Sequence, residues 1–282
     1  MNQTLACAFV AIAALAGCQS VPPKAPALAA GAKYVAMGSS FAAGPGIPTY
    51  VDTPPTPCAR SDGNYAHQLA KRMNLALVDV GCSGGTTRHL LGPRDSIPPQ
   101  LDALTADTKL VTITIGGNDI NYLGRLSAAS CVGLASESGV AAKCGAIPPM
   151  PTEQDYADLR TRMDQIVAEV RKRSPSARLV FVDYFTILPA GALCRAAPLS
   201  EAEAAKARQL ATRLADITAK TATAGKTDLI RASALSAHHD ACAADPWING
   251  YPRPDAPIAG TAYHPNKPDM TAVADALEKL LR

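Results

Sequence analysis

Short apolar runs alternate with helical patterns along this chain, and that alternation narrows the choice of fold more than anything else in it. Residues 34–37, 75–80, 109–115, 178–185 and 227–232 read as strands. The third alternates Val or Ile with Thr, the β-branched composition that fits a pleated surface. Residues 64–73 read as a helix, with Asp62 or Asn64 as its cap. Glu153–Arg173 places Tyr156, Leu159, Met163, Ile166, Val167 and Val170 on one face. Thr152 can cap it, with Asp155 three residues on. Ser200 and Glu203 form a capping-box pattern before a helix reaching about Thr223, and residues 269–281 close the chain with another. Such alternation predicts a three-layer α/β/α fold around a mostly parallel sheet of five strands. Right-handed crossovers then gather the carboxyl ends of the strands on one edge, where open α/β sheets place their chemistry.

Three stretches escape the pattern. Residues 44–57 are a loop rich in Pro and Gly, and 121–150 read as irregular, a candidate lid or substrate wall. Residues 238–268 form a long loop, and loops of that length inside compact domains are usually functional.

Four short motifs fall where strands end or in that last loop. They are Gly38-Ser39-Ser40-Phe41, Gly81-Cys82-Ser83-Gly84-Gly85-Thr86, Ile115-Gly116-Gly117-Asn118-Asp119 and Tyr263-His264-Pro265-Asn266. Taken singly each has a plain reading: a small-residue turn at Ser40, a glycine turn at Gly84, a helix cap at Asn118. Taken together, and in this order, they resemble the blocks of the GDSL esterases and lipases, also called SGNH hydrolases. The resemblance spans residues 33–282. It implies that Ser40 is a nucleophile and His264 its base. It also implies an oxyanion hole built from the Ser40 N–H, the Gly84 N–H and the Asn118 side-chain amide. Ser39 departs from the family, which has Asp there.

The chemistry asks for these residue types. A serine hydroxyl is a weak nucleophile until a base takes its proton, and imidazole titrates near neutrality. Attack on an ester carbonyl creates an oxyanion that needs donors already in place. A glycine suits that duty because a missing Cβ lets the backbone approach the substrate. Asp119 reads as ordering its turn rather than as catalytic. No cofactor or metal is expected. The ester could be an acylglycerol, a phospholipid, an aryl ester or an acetylated sugar.

The family's last block usually reads Asp-x-x-His, with the Asp orienting the imidazole. Here Thr261 stands in that place. Some actinobacterial relatives use a main-chain carbonyl instead, so a Ser40–His264 dyad is expected with the carbonyl of Thr261 as acceptor. Asp240, Asp245 or Asp255, all in the same loop, could instead supply the acid.

Other readings compete. Gly81-Cys82-Ser83-Gly84-Gly85 fits the Gly-x-Ser-x-Gly elbow of α/β-hydrolases, which would make Ser83 the nucleophile. That elbow needs a helix straight after the serine, and Thr86, Thr87, Gly92 and Pro93 are poor material for one. His238-His239-Asp240-x-Cys242 suggests a metal only weakly, and a loop is preferred. A tethered carbohydrate- or surface-binding module is the non-enzymatic alternative.

The amino terminus has its own logic. Residues 5–16 are apolar but too short to span a bilayer and look like the core of an export signal over residues 1–17. Leu15-Ala16-Gly17-Cys18 resembles the lipobox of bacterial lipoproteins, which implies a lipidated Cys18 and a membrane anchor. Met1-Asn2-Gln3-Thr4 lacks the usual Lys or Arg, and an ordinary signal peptide that happens to contain a Cys is the alternative. A Pro/Ala-rich tether follows to Gly31, and the catalytic domain is expected over 32–282. Six further cysteines in an exported chain read as disulfides, for which sequence alone allows 15 pairings. The secreted actinobacterial branch of the family implies sequential bridges: Cys58–Cys82, Cys131–Cys144 and Cys194–Cys242. A net charge of +3 gives no footprint for nucleic acid, and a monomer is expected.

Overall fold

The computed structural model describes residues 27–52, 56–139 and 143–282. The expected export signal and Cys18 lie outside the described residues. Of the expected tether, residues 27–31 lie against the protein. Leu28 packs on the core and Gly31 N–H donates to the Asn74 carbonyl.

Five strands form one sheet: β1 (Lys33–Gly38), β2 (Ala76–Asp79), β3 (Leu110–Thr114), β4 (Arg178–Val182) and β5 (Asp228–Ile230). Their order is β2-β1-β3-β4-β5, and every neighbouring pair is parallel. Val35 stands between Val78 on one side and Val111 on the other. β1, β3 and β4 are covered on both faces, which is why they read as continuous apolar or β-branched runs. β2, at an edge, alternates between exposed and half-buried. From β1 the chain steps outward to β2 and then returns across β1 to β3. That reversal makes the crevice beyond β1 and β3 the switch point of the sheet.

The helices are α1 (Ser40–Ala43), α2 (Tyr65–Met73), α3 (Thr87–Leu91), α4 (Tyr122–Ser138), α5 (Glu153–Arg173), α6 (Glu201–Ala224), α7 (Ala232–Leu235) and α8 (Lys267–Leu281). α2 packs on α8, while α5 packs on α3 and α6, and α4 on α6. Asn64, not Asp62, caps α2, accepting from the N–H groups of Ala66 and His67. Thr152 and Asp155 cap α5 reciprocally. At α6 only half of the expected box forms. Ser200 Oγ accepts from the Glu203 N–H, but the Glu203 carboxylate turns away to Arg125 and Lys206. Residues 178–185 are strand only as far as Val182. Beyond it, the Asp183 carboxylate accepts from the N–H and hydroxyl of Ser233.

The expectation that 121–150 is irregular is corrected: α4 occupies its first half. Small and apolar residues surround this helix on all sides, and Gly124 and Gly133 interrupt it. No 3.6-residue stripe stands out for that reason. The helix is held by tertiary contacts instead. Buried Arg125 pairs with Glu203 of α6 and donates to the Pro148 carbonyl. The three disulfides join Cys58 to Cys82, Cys131 to Cys144 and Cys194 to Cys242. The first ties the loop after α1 to the turn after β2, and the second ties α4 to the segment leading into α5.

Candidate active site

β1 ends at Gly38, and α1 starts two residues later with Ser40 as its first residue. A first-turn N–H has no partner within its own helix, which leaves the Ser40 N–H free to serve a ligand. Ser40 Oγ lies 2.8 Å from Nε2 of His264. His264 Nδ1 lies 2.7 Å from the carbonyl of Ala262. A carbonyl can only accept, so Nδ1 carries the proton and Nε2 is left to accept from the serine. Burial pulls the His264 pKa below the ordinary imidazole range, and the bond to Ala262 opposes that shift. The neutral form, the one that can take a proton, is therefore favoured.

The expected acceptor, the carbonyl of Thr261, is corrected to that of Ala262. Residues 261–264 form a tight turn in which the His264 N–H donates to the Thr261 carbonyl. Asn249 Nδ2 donates to that carbonyl as well, at 3.2 Å. Tyr263 has φ +55, the positive third position of a type II turn. The turn thus consumes Thr261 in its own closure and leaves the next carbonyl beside the ring. The acids proposed instead are engaged elsewhere. Asp240 accepts from the Cys242 N–H, Asp245 from the Trp247 indole, and Asp255 pairs with Arg195.

Gly84 sits in the turn after β2 with φ +76. A Cβ there would stand 3.2 Å from the Arg94 guanidinium, so its lack of a side chain serves this turn as well as any substrate. Asn118 follows β3, and its Nδ2 donates to the Gly85 carbonyl at 2.8 Å. One amide hydrogen remains for a ligand. Among the described residues, the N–H groups of Ser40 and Gly84 have no partner in the chain. Next to Asn118, Asp119 accepts from the N–H and hydroxyl of Thr87, the first residue of α3, and pairs with Arg162 of α5. Asp119 thus ties the segment that carries Gly84 to the segment that carries Asn118.

Ser83 is not brought to a base. Its Oγ is buried without a hydrogen-bond partner, and the residues after it form a turn, with α3 starting only at Thr87. His239 stacks on Trp247 with ring centres 3.7 Å apart, and Cys242 is spent in a disulfide. Among the described residues no three His, Cys, Asp or Glu side chains converge as a metal site.

The structure adds residues that sequence reasoning missed. Gln100 bonds both the N–H and the carbonyl of Gly38. Asn249 accepts from the Tyr263 N–H through its carbonyl and donates to the His264 carbonyl. Ser130 of α4 lies 2.6 Å from the Tyr263 hydroxyl. Each reaches its partner across many residues of chain, and none stands in a motif, so no local signal marks them. A groove of about 1170 Å³ lies at the opposite, amino edge of the sheet, among residues 27–33 and the strand starts.

Known proteins resemble this chain in sequence and in fold. The sequence model described as the GDSL-like lipase/acylhydrolase family matches residues 36–268. Lipase 2 of Streptomyces coelicolor is 31% identical over 75% of this chain and 73% of its own. Lipase 1 of the same organism is 27% identical over 90% of this chain and 87% of its own. Among solved structures, phospholipase A1 from Streptomyces albidoflavus superposes with a TM-score of 0.72 at 26% identity, covering 89% of this chain and 99% of that one. The extracellular lipase of Streptomyces rimosus gives 0.67 at 26% identity, covering 88% and 99%.

Proposed function

The chain belongs to the GDSL-like lipase/acylhydrolase family and hydrolyses carboxylic esters, and on that premise we propose that Ser40 is its nucleophile and His264 its base. The observation that carries this reading is the 2.8 Å contact between Ser40 Oγ and His264 Nε2, with Nδ1 fixed on the Ala262 carbonyl. Ser40 Oγ attacks the ester carbonyl while Nε2 takes its proton. The carbonyl oxygen, now negative, receives the N–H groups of Ser40 and Gly84 and the free hydrogen of the Asn118 amide. The imidazolium returns its proton to the leaving alcohol, and an acyl-Ser40 remains. A water, deprotonated by the same Nε2, then releases the acid. No carboxylate takes part.

Relatives named as lipases and a phospholipase A1 support a lipid ester as the substrate. Three disulfides fit an exported chain. Anchoring through a lipidated Cys18 rests on the Leu15-Ala16-Gly17-Cys18 sequence. Its test is Cys18→Ser, which should leave the membrane fraction or stay unprocessed. Unchanged membrane association in that variant would remove the anchor.

The central test is turnover of a short chromogenic ester and its loss to a serine-directed phosphonate. Ser40→Ala should lower kcat by three or more orders of magnitude, on the scale seen when a catalytic serine is removed, with the melting curve intact. Ser83→Ala should stay near wild type. The opposite ranking would make Ser83 the nucleophile.

A further inference from the structure

Tyr184 stands just beyond β4, buried, and its hydroxyl meets two turns at once. The Gly117 N–H donates to Tyr184 Oη at 3.0 Å, and Ser39 Oγ lies 2.8 Å from the same oxygen. Oη accepts from Gly117 and has its own proton to give to Ser39. Ser39 is the residue before Ser40, and Gly117 the residue before Asn118. One phenol therefore joins the turn that presents the Ser40 N–H to the turn that presents the Asn118 amide.

Shape points the same way. A Cβ on Gly117 would come within 2.6 Å of the Tyr184 ring, so only glycine lets the ring lie against this turn. On another side the Phe41 ring stands 4.4 Å from Tyr184 and 5.2 Å from the imidazole of His264, centre to centre. The ring thus also backs the side chain that the base rests on. Position 39 is where the chain departs from the family's Gly-Asp-Ser, and a carboxylate there would be a fully buried charge. A serine keeps the bond to Tyr184 without one. Burial holds the Tyr184 pKa far above neutrality, so the hydroxyl keeps its proton.

We propose that Tyr184 is a positioning residue: its bridge from Ser39 to Gly117 holds the Ser40 N–H and the Asn118 amide aimed at one oxyanion. This rests on the oxyanion hole proposed above. Oxyanion donors act through placement, and a misplacement of about 1 Å can cost about 10²-fold in rate. The bridge should therefore act on kcat and leave ground-state binding alone.

The test is a mutant cycle on the full chain, read by kcat and KM on a chromogenic ester and by thermal melting. Tyr184→Phe keeps the ring and removes the hydroxyl. It should lower kcat about tenfold, a partial misplacement on that scale, with KM within about twofold. Ser39→Ala should do the same, and Ser39→Thr should recover most of the loss. Asn118→Ala should cost about 10²–10³ in kcat. In the double variant Tyr184→Phe, Asn118→Ala the two losses should fall well short of their product, because the bridge has lost the group it aims. If Tyr184→Phe does not fold, Ser39→Ala takes its place in the cycle. Full multiplicativity, or a Tyr184→Phe enzyme with unchanged kcat and only a lower melting point, overturns the positioning role and leaves the oxyanion hole standing. An unchanged kcat in Asn118→Ala overturns the oxyanion hole itself, and the positioning role with it.

Discussion

The Tyr263 hydroxyl lies 2.6 Å from Ser130 Oγ, which also donates to the Leu126 carbonyl inside α4. The residue before His264 is thereby fastened to the middle of a helix. Tyr263 needs fastening, because a bulky side chain at φ +55 holds a backbone state that costs of order 1–3 kcal/mol. Its bonds to Asn249 and Ser130 hold that state in place.

Tyr263→Phe should therefore destabilise the protein by about 1 kcal/mol, the net worth of one buried hydrogen bond. Ser130→Ala should cost a similar amount, and the pair together little more than either alone. Thermal melting of the three variants checks this. Losses that simply add would mean that the two hydroxyls act separately.

Asp119 predicts a catalytic defect without a catalytic role. Asp119→Ala removes the acceptor that Thr87 and Arg162 share and loosens the link between the Gly84 and Asn118 segments. It should lower kcat by about tenfold, less than the 10²–10³ of a lost oxyanion donor, with a fall in melting temperature. Steady-state kinetics beside melting curves separate the two effects. An Asp119→Ala loss equal to that of Ser40→Ala would mean that the carboxylate takes part in the chemistry.

The alternation of strands and helices was readable because each element writes its burial into its own residues. The four motif blocks were readable because three of them follow strands that end on one edge. α4 was not, since its small residues surround the helix evenly and its support comes from Glu203 and Tyr263, far along the chain. The choice of Ala262 over Thr261 was hidden for a different reason. It depends on which peptide a turn flips, and a sequence shows only that a turn is there.

pH gives a third prediction. In the mechanism proposed above His264 acts in its neutral form, and burial lowers its pKa. Values of kcat/KM should stay high as pH drops through about 6.5, where a free imidazole half-protonates, and fall only below it. The unfolded chain binds that proton first, so stability declines over the same acid interval, from the unfolded value down to the folded one. A pH–rate profile locates the limb, and a limb above the free-imidazole value would contradict the burial argument. Asp240→Asn, Asp245→Asn and Asp255→Asn should each keep most of the activity, because none of these carboxylates reaches the ring. A folded variant losing about 10⁴ in kcat would reveal a triad acid.

Asp269 predicts a stability effect away from the chemistry. It lies in the first turn of α8, fully buried, with neither carboxylate oxygen hydrogen-bonded, and desolvation raises its pKa to about 9. The folded state holds a proton that the unfolded chain releases near pH 4. The stability this gives is complete below that value and is lost as pH rises toward the folded pKa, by up to about 1.4 kcal/mol per unit. Asp269→Asn should flatten this slope and melt higher than wild type near pH 8. Parallel slopes for the two proteins would place the titrating group elsewhere.

The two ends of the parallel strands divide the molecule into a working pole and a holding pole. Residues 27–31 run along the amino edge, while Ser40, Asn118 and His264 gather beyond the carboxyl edge, with the whole sheet between them. Five parallel residues span roughly 17 Å, and that length of sheet separates residues 27–31 from the edge that carries Ser40 and Asn118. A protein held at residues 27–31, whether on a bead, a fusion partner or a lipid surface, would turn the edge that carries Ser40 and His264 away from its support.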